Sequence, residues 1–370
     1  MRRYDTIVVG GGLVGAAVAY GLAREGESVA VLDEGDVAFR ASRGNFGLVW
    51  VQSKGDGRPE YARWTRRSSD LWPGFAELLA EDTGIAPDYH KPGGLHFCFS
   101  EAEIEARRAM IHRMHNVHGP GGDGTRILDR KEVQDLVPSI GPDVLGASYS
   151  PHDGHASPLR LLRGLHAGLA KRTGAYFADH RVQRIEKDGG GFRVEAGGET
   201  FSGGKVVLAA GLGNRELGAQ VGLDVPVRPL KGQILVTERT KPVLTMPTHV
   251  IRQTEEGTIM MGDSQEDAGF DTRSGTGVIS AIAAHAVRTL PWLATVRVVR
   301  SWAALRVMTP DGYPLYEQSE SHPGAFTVNC HSGVTLAGAH AQALAPMIAL
   351  GALGEELSAF TSGRFDVRAN

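Results

Sequence analysis

Apolar residues along this chain follow two rhythms. Ile7-Val8-Val9 is a short unbroken run, Leu13 to Ala19 is an Ala-rich stretch, and Val29-Ala30-Val31-Leu32 is a second run. That succession predicts strand, helix, strand. Lys205-Val206-Val207-Leu208-Ala209-Ala210-Gly211 is again continuous, as a buried parallel strand requires. Arg181–Ile185 and Gly191–Glu195 instead alternate like the arms of a hairpin. Helical spacing marks Glu60–Glu81, bent or interrupted near Pro73, and Pro158–Lys171, with Leu161, Leu162, Leu165 and Leu169 on one face.

The middle of the chain supplies caps and breaks. Gly93–Phe99 reads as a strand, and Ser100 with Glu103 as a capping box for a helix through Met110. His118–Gly124 is a loop, and Asp129 with Glu132 caps a short helix ending before Pro138. From Val225 to Val307 the pattern turns β-rich, with one helix near Gly275–Leu290, as a second domain on an antiparallel sheet would. Ala325–Cys330 is a final strand and Val334–Leu350 an Ala-rich helix.

The first strand–helix junction carries chemistry. Gly10, Gly12 and Gly15 form Gly-x-Gly-x-x-Gly between strand and helix: the first permits the turn, the second lets backbone approach a pyrophosphate, the third lets helix pack on strand. The helix N-terminus offers N–H groups to a diphosphate. Asp33 ends the second strand, where a carboxylate can take ribose hydroxyls. Glycine turns alone are common. Here the preceding strand, Ala19, the helix end at Leu22–Gly26 and the acid agree, and the reading is a dinucleotide site.

Bulk properties narrow the rest. The 370 residues are 42% hydrophobic and 22% charged with a formal net charge of −3, so no basic field favours nucleic acid. Cys98 and Cys330 are too few for a disulfide framework or a four-cysteine metal site, and fit a reducing cytoplasm. Met1-Arg2-Arg3 resembles a signal-peptide start, but the Gly10–Gly15 stretch interrupts the apolar run. No apolar stretch approaches the ~20 residues of a membrane span. His112, His115 and His118 share helical spacing without a carboxylate or cysteine, and read as a solvated face rather than a metal site.

Four separated blocks then agree: the opening βαβ unit with Ala41–Trp50, Val206–Gly211, Leu305–Pro314 and His331–Ala337. Together they resemble the FAD-dependent oxidoreductases related to D-amino-acid, glycine and sarcosine oxidases, most closely the FAD subunits of D-hydroxyproline, proline and opine dehydrogenases and of hydrogen cyanide synthase. The resemblance spans nearly the whole chain. It implies an α/β fold of glutathione-reductase, D-amino-acid-oxidase-like type, with a Rossmann-like FAD-binding domain and a second, antiparallel-sheet substrate domain. The expected division is 1–84, 143–224 and 315–370 for FAD, and 85–142 and 225–314 for substrate.

By position, the resemblance implies that Gly10, Gly12, Leu13, Val14, Gly15 and Asp33, with Glu34 nearby, hold the ADP half of FAD. Ser42, Arg43, Asn45, Gly47 and Leu48 run along the pyrophosphate, ribityl chain and isoalloxazine ring. Val182 faces the adenine, and Ala210 and Gly211 pass beneath the cofactor. Gly333, Val334 and Thr335 begin a helix whose N–H groups meet the pyrimidine end, where reduction places negative charge. Relatives that attach flavin covalently use a Cys or His at places occupied here by Ala304 and Gly47, so FAD is expected to be non-covalent. Thr258–Gly262 has no lysine to stand near N5, which puts efficient oxygen reactivity in doubt.

The expected reaction is oxidation of the C–N bond of a small amino acid, a D-amino acid or a secondary amine such as a D-hydroxyproline or opine. Hydride passes to flavin N5 and leaves an imine. Arg306, in an apolar strand, is the expected buried clamp for the substrate carboxylate, its other readings being a surface ion pair or a flavin contact. His331, just before the flavin-facing turn, tunes or protonates a group there, or is structural. Trp50 and Gln52 line the pocket or simply pack, and Arg252 reaches substrate or, the favoured reading, solvent. Rival readings are an FAD-dependent 2-hydroxy-acid dehydrogenase, which needs a base, a flavin electron-transfer subunit active only in a complex, and, disfavoured by the later blocks, an NAD(P)-dependent enzyme. An electron-accepting partner subunit is part of this expectation; two cysteines cannot hold an ordinary iron–sulfur cluster alone.

Overall fold

A computed structural model describes residues 1–35, 41–118, 124–262 and 264–366. Its largest sheet is parallel at the centre. Arg2–Val9 pairs with Val29–Leu32 on one side and Glu199–Leu208 on the other, and these carry Gly174–Phe177 and Ala325–Asn329. Leu315–Gln318 adds an antiparallel edge. The hairpin Val182–Asp188 and Gly191–Ala196 pairs with the first half of Glu199–Leu208. Ile7, Val8, Val31, Val206 and Val207 are fully buried, which is why these strands read as unbroken apolar runs. Helix Leu13–Arg24 packs beside helix Pro158–Ala170, whose Leu161 and Leu165 meet Leu13, Tyr20 and Trp72 in one core.

A second body is antiparallel. Four strands lie in the order Ile251–Gln253, Thr258–Met261, Arg228–Arg239 and Val298–Met308. Helix Thr276–Thr289 covers one face, Ile282 and Ala286 joining Leu235, Ile251, Ile259 and Met261. The same core takes Leu95, Phe97, Leu128 and Ala147 from a three-stranded sheet of Gly94–Cys98, Gly146–Ser150 and Arg126–Asp129.

Some local expectations shift. Helix Pro59–Thr83 runs through Pro73 without interruption. The proline removes the bond to the Ser69 carbonyl, and Lys91 Nζ supplies a substitute at 3.2 Å. Helix Glu101–His118 extends past Met110; Ser100 Oγ accepts the Glu103 N–H, while Glu103 accepts from Phe99 rather than from the cap residue. Asp129 and Glu132 do form the reciprocal capping box. The loop expected at His118–Gly124 falls mostly outside the described residues. The last helix, Ala337–Ala349, starts three residues after Val334 and widens into a π turn over His340–Leu344. Among the described residues no helix is long and apolar enough to cross a membrane, and no group of three or more side chains could hold a metal. His112 is exposed; the side chains of His115 and His118 lie outside the description.

Candidate functional site

Strand Arg2–Val9 ends in Gly10 at φ 103°, and a Cβ there would lie 2.5 Å from the Ala209 carbonyl oxygen. At Gly15 a Cβ would sit 1.9 Å from the Gly10 carbonyl oxygen, so the helix can follow the strand this closely only without a side chain. At Gly12 it would meet only the Ser42 hydroxyl, 2.8 Å away. Ser42 Oγ in turn accepts the Leu13 N–H at 2.8 Å. Asp33 is buried, its carboxylate accepting N–H groups from Gly11 at 2.7 Å and Gly35 at 3.1 Å.

These residues wall a cavity of about 600 Å³. Of the residues singled out from sequence, Gly10, Gly12, Leu13, Val14, Asp33, Glu34, Ser42, Arg43, Asn45, Val182, Ala210, Gly211, His331 and Gly333 line it. Gly15, Gly47, Leu48, Val334 and Thr335 stand behind that wall. Thr335 Oγ1 accepts the Trp50 N–H and donates to the Leu48 carbonyl, both at 3.1 Å, tying the two segments together. Asn45 holds the turn by accepting the Gly47 N–H at 2.8 Å.

Two residues at this site escape the sequence reading. The first, His166, lines the wall: its Nε2 lies 2.8 Å from the Gly11 carbonyl and its ring rests on Tyr176, with centroids 4.5 Å apart. Burial pushes its pKa down, opposed by the Gly11 bond, so the neutral ring donates to Gly11. The available signal is a polar residue one helical repeat after Leu162 on the apolar stripe of Pro158–Ala170.

The second, Lys54, stands at the other end. Its Nζ lies 3.1 Å from His331 Nε2 and donates to Ser332 Oγ at 3.1 Å, which also accepts from Tyr61 at 3.0 Å. Burial, then the charges of Lys54 and Arg306, hold the His331 pKa well below the usual histidine value, against a backbone hydrogen bond to Gly312. The ring is therefore neutral near pH 7, with an ammonium against its Nε2. Nothing in the local sequence signals Lys54. Trp50 and Gln52 are buried outside the cavity wall. Asp153 accepts the Val51 and Gln52 N–H groups at 2.6 and 3.2 Å and Gln52 Nε2 at 2.5 Å, while Gln52 Oε1 accepts from Arg107 at 2.6 Å and Ser148 at 2.7 Å.

The face of the four-stranded sheet opposite helix Thr276–Thr289 turns toward Gly44–Gly47. Trp302 Nε1 donates to the Gly44 carbonyl at 3.2 Å, and Gly262 packs near Phe46. Arg306 is half-buried rather than buried; it leans over Gly232 and its Nη1 donates to the Ser264 carbonyl at 2.8 Å. Its neighbours Leu305 and Val307, not Arg306, line the cavity. Arg252 corrects the favoured reading of a solvent-facing residue. It is 3% exposed, donates through Nε to the Phe46 carbonyl, lies over the Phe46 ring and reaches Met260 Sδ at 3.1 Å. Strand alternation puts it on the face opposite Ile251, and Phe46 and Gly47 cover that face. Burial lowers its pKa to about 10. Thr258–Met261 has no lysine, yet a cation leans across Met260 from the adjacent strand.

With this geometry in place, likenesses to known proteins fall into one pattern. The model of the family described as FAD dependent oxidoreductase matches residues 5–347. An opine oxidase component from Rhizobium meliloti, named as one subunit of that enzyme, is 44% identical over 371 residues, covering 100% of this chain and 99% of that protein. The crystal structure of glycine oxidase from Geobacillus kaustophilus superposes with a TM-score of 0.90 at 26% identity over 98% of both chains. L-proline dehydrogenase from P. horikoshii shares the fold, with a TM-score of 0.85 at 21% identity over 98% of both chains. The cavity suits FAD in size, within the roughly 300–1,000 Å³ of cofactor sites, and Gly12 leaves its backbone open to a diphosphate where any Cβ would intrude.

Proposed function

Because the chain belongs to the FAD-dependent oxidoreductase family, with FAD as its cofactor, we propose that it oxidises the C–N bond of a small amino acid, an opine or related secondary amine. The observation that supports this most is the 44% identity, end to end, with an opine oxidase subunit. When bound, FAD supplies the two-electron acceptor for the substrate Cα hydrogen, the product being an imine that water hydrolyses. In this reading Gly10, Gly12–Gly15 and Asp33 carry the ADP half, Ser42–Leu48 and Ala210–Gly211 follow the rest, and Gly333–Thr335 meet the pyrimidine end. The domain division expected from sequence is kept in outline, with strand Gly146–Ser150, whose Ala147 joins the core of the antiparallel body, moved to the substrate domain.

Arg306 holds the substrate carboxylate in this proposal. Its Nη1 is anchored by the Ser264 carbonyl, and the residues on either side of it in the strand, Leu305 and Val307, line the cavity. His331 acts as a neutral wall residue beside Lys54. A 2-hydroxy acid would need a base to take its hydroxyl proton, and an ammonium against His331 Nε2 occupies the lone pair that such a base would use. That observation favours the amine. The relative's designation as a subunit supports an electron-accepting partner for this chain as well.

The test is anaerobic mixing of the yellow protein with opines, D- and L-amino acids, N-alkyl amino acids and 2-hydroxy acids. Secondary amino acids should bleach the flavin, and acid precipitation should release FAD into the supernatant. Bleaching by hydroxy acids alone would overturn the amine reading. Bleaching by none of the panel would leave the electron-transfer subunit as the better account.

A further inference from the structure

Arg252 is the most deeply buried arginine among the described residues, and the proposed reaction gives it no task. The groups its guanidinium meets are all neutral: the Phe46 carbonyl, the Phe46 ring and the Met260 thioether. No carboxylate lies within ion-pair distance among the described residues. Asp88, Glu255, Glu256 and the neutral His155 border with Arg252 a small cavity of about 30 Å³, and the Glu256 charge, without contact, offsets part of the effect of burial. Burying an unpaired guanidinium is costly by several kcal/mol. An anion arriving beside it during function would offset that cost.

The direction of the side chain identifies that anion. A Cβ at Gly47 would stand 2.8 Å from Arg252 Nη2, so the guanidinium presses on the backbone of the Phe46–Gly47 segment. That segment is the one assigned above to the isoalloxazine ring. Reduction of FAD near neutral pH adds two electrons and one proton, a net gain of one negative charge. We propose that Arg252 is the residue that meets this charge, raising the reduction potential of the bound cofactor from the strand beside the Met260 thioether. The proposal rests on the assignment of Ser42–Leu48 to FAD, and not on which substrate is oxidised. Fixed charge in a water-poor site acts without reorganisation, so one arginine can have a large effect.

Sulfite, which adds to flavin and leaves an anionic adduct, and the midpoint potential read this charge without any substrate. Arg252→Gln keeps a donor for the Phe46 carbonyl but removes the charge; Arg252→Lys keeps both. With FAD still bound, Arg252→Gln should weaken sulfite binding at least tenfold and lower the two-electron potential by about 30 mV or more, the equivalent of tenfold. Arg252→Lys should stay within threefold of native. Glu256→Gln, at an exposed position, should tighten sulfite binding two- to threefold by removing an opposing anion, and it reads the same field if Arg252→Gln does not fold. Native sulfite affinity and potential in Arg252→Gln would overturn the proposal. So would equal losses in the Lys and Gln variants, which would make Arg252 a brace for Phe46. Failure of every amine to bleach the flavin would sink only the proposed reaction.

Discussion

The Gly10–Gly15 turn and the sheet face that carries Arg252 and Arg306 hold their functional atoms by opposite means. In the turn, backbone does the recognising, and the positions are set by contacts to other backbone: Gly15 against the Gly10 carbonyl within the turn, Gly10 against Ala209 at the end of the neighbouring strand. On the sheet face, side chains do it, and each is fixed by a partner far along the chain, Arg252 by Phe46 and Trp302 by Gly44. A backbone site tolerates no added atom. At a side-chain site, substitution spares the fold and removes the function.

The sharpest way to break that contrast is at the glycines. Gly15→Ala places a methyl group against an immovable carbonyl, and the fold should lose about 3 kcal/mol or more. Gly12→Val meets only the Ser42 hydroxyl in the protein, so the chain should fold and purify colourless, the pyrophosphate having lost its approach. Denaturant melts and absorbance at the flavin band read both. If Gly12→Val retained FAD, or Gly15→Ala melted like the native protein, the backbone account of this end would fail.

Legibility follows the same divide. The glycine pattern is readable because φ and close approach leave one residue type, and the strands because burial on both faces leaves unbroken apolar runs. Arg252 reads wrongly as solvent-facing because alternation reveals that its two faces differ, not which is covered, and the cover is a segment about 200 residues earlier. Lys54 has no signal, its role arising only when Pro59–Thr83 brings its flank to Ser332. His166 has one, a polar residue within a leucine stripe, that is easily taken for an interruption.

On the sheet face, Arg306→Ala should leave FAD bound and the melt close to native, since Arg306 is half-buried and bonded to carbonyls. Activity should suffer far more: about 2–5 kcal/mol of transition-state stabilisation, roughly 30- to 5,000-fold in kcat/KM. Arg306→Lys should recover only part, because an ammonium cannot make two parallel bonds to one carboxylate. Steady-state kinetics with an artificial acceptor dye measure this. Unchanged kcat/KM in the Ala variant would remove Arg306 from the site and hand the carboxylate to another residue.

The smallest effect separates the parallel body from the sheet face by proton uptake. His340, in the π turn of the last helix, is fully buried; its Nε2 lies 2.8 Å from the Tyr316 hydroxyl, which also accepts from Trp64 at 3.2 Å. Burial lowers its pKa to about 3, whereas the unfolded chain binds the proton near 6.5. The folded pKa lies below the unfolded one, so the neutral ring's contribution is complete above pH 6.5 and is lost as pH falls from there toward 3. The unfolded state takes a proton that the native state refuses, with a slope of at most about 1.4 kcal/mol per pH unit. His340→Gln can still accept from Tyr316 but cannot titrate. Between pH 6.5 and 4.5 its stability should therefore fall less steeply than native by close to one proton's worth, while the pH profile of kcat/KM stays native, because no group on the sheet face has changed. Equal slopes would mean that His340 takes its proton without unfolding. A displaced kcat/KM profile would mean that the parallel body and the sheet face share one titration, and the separation drawn between them would not hold.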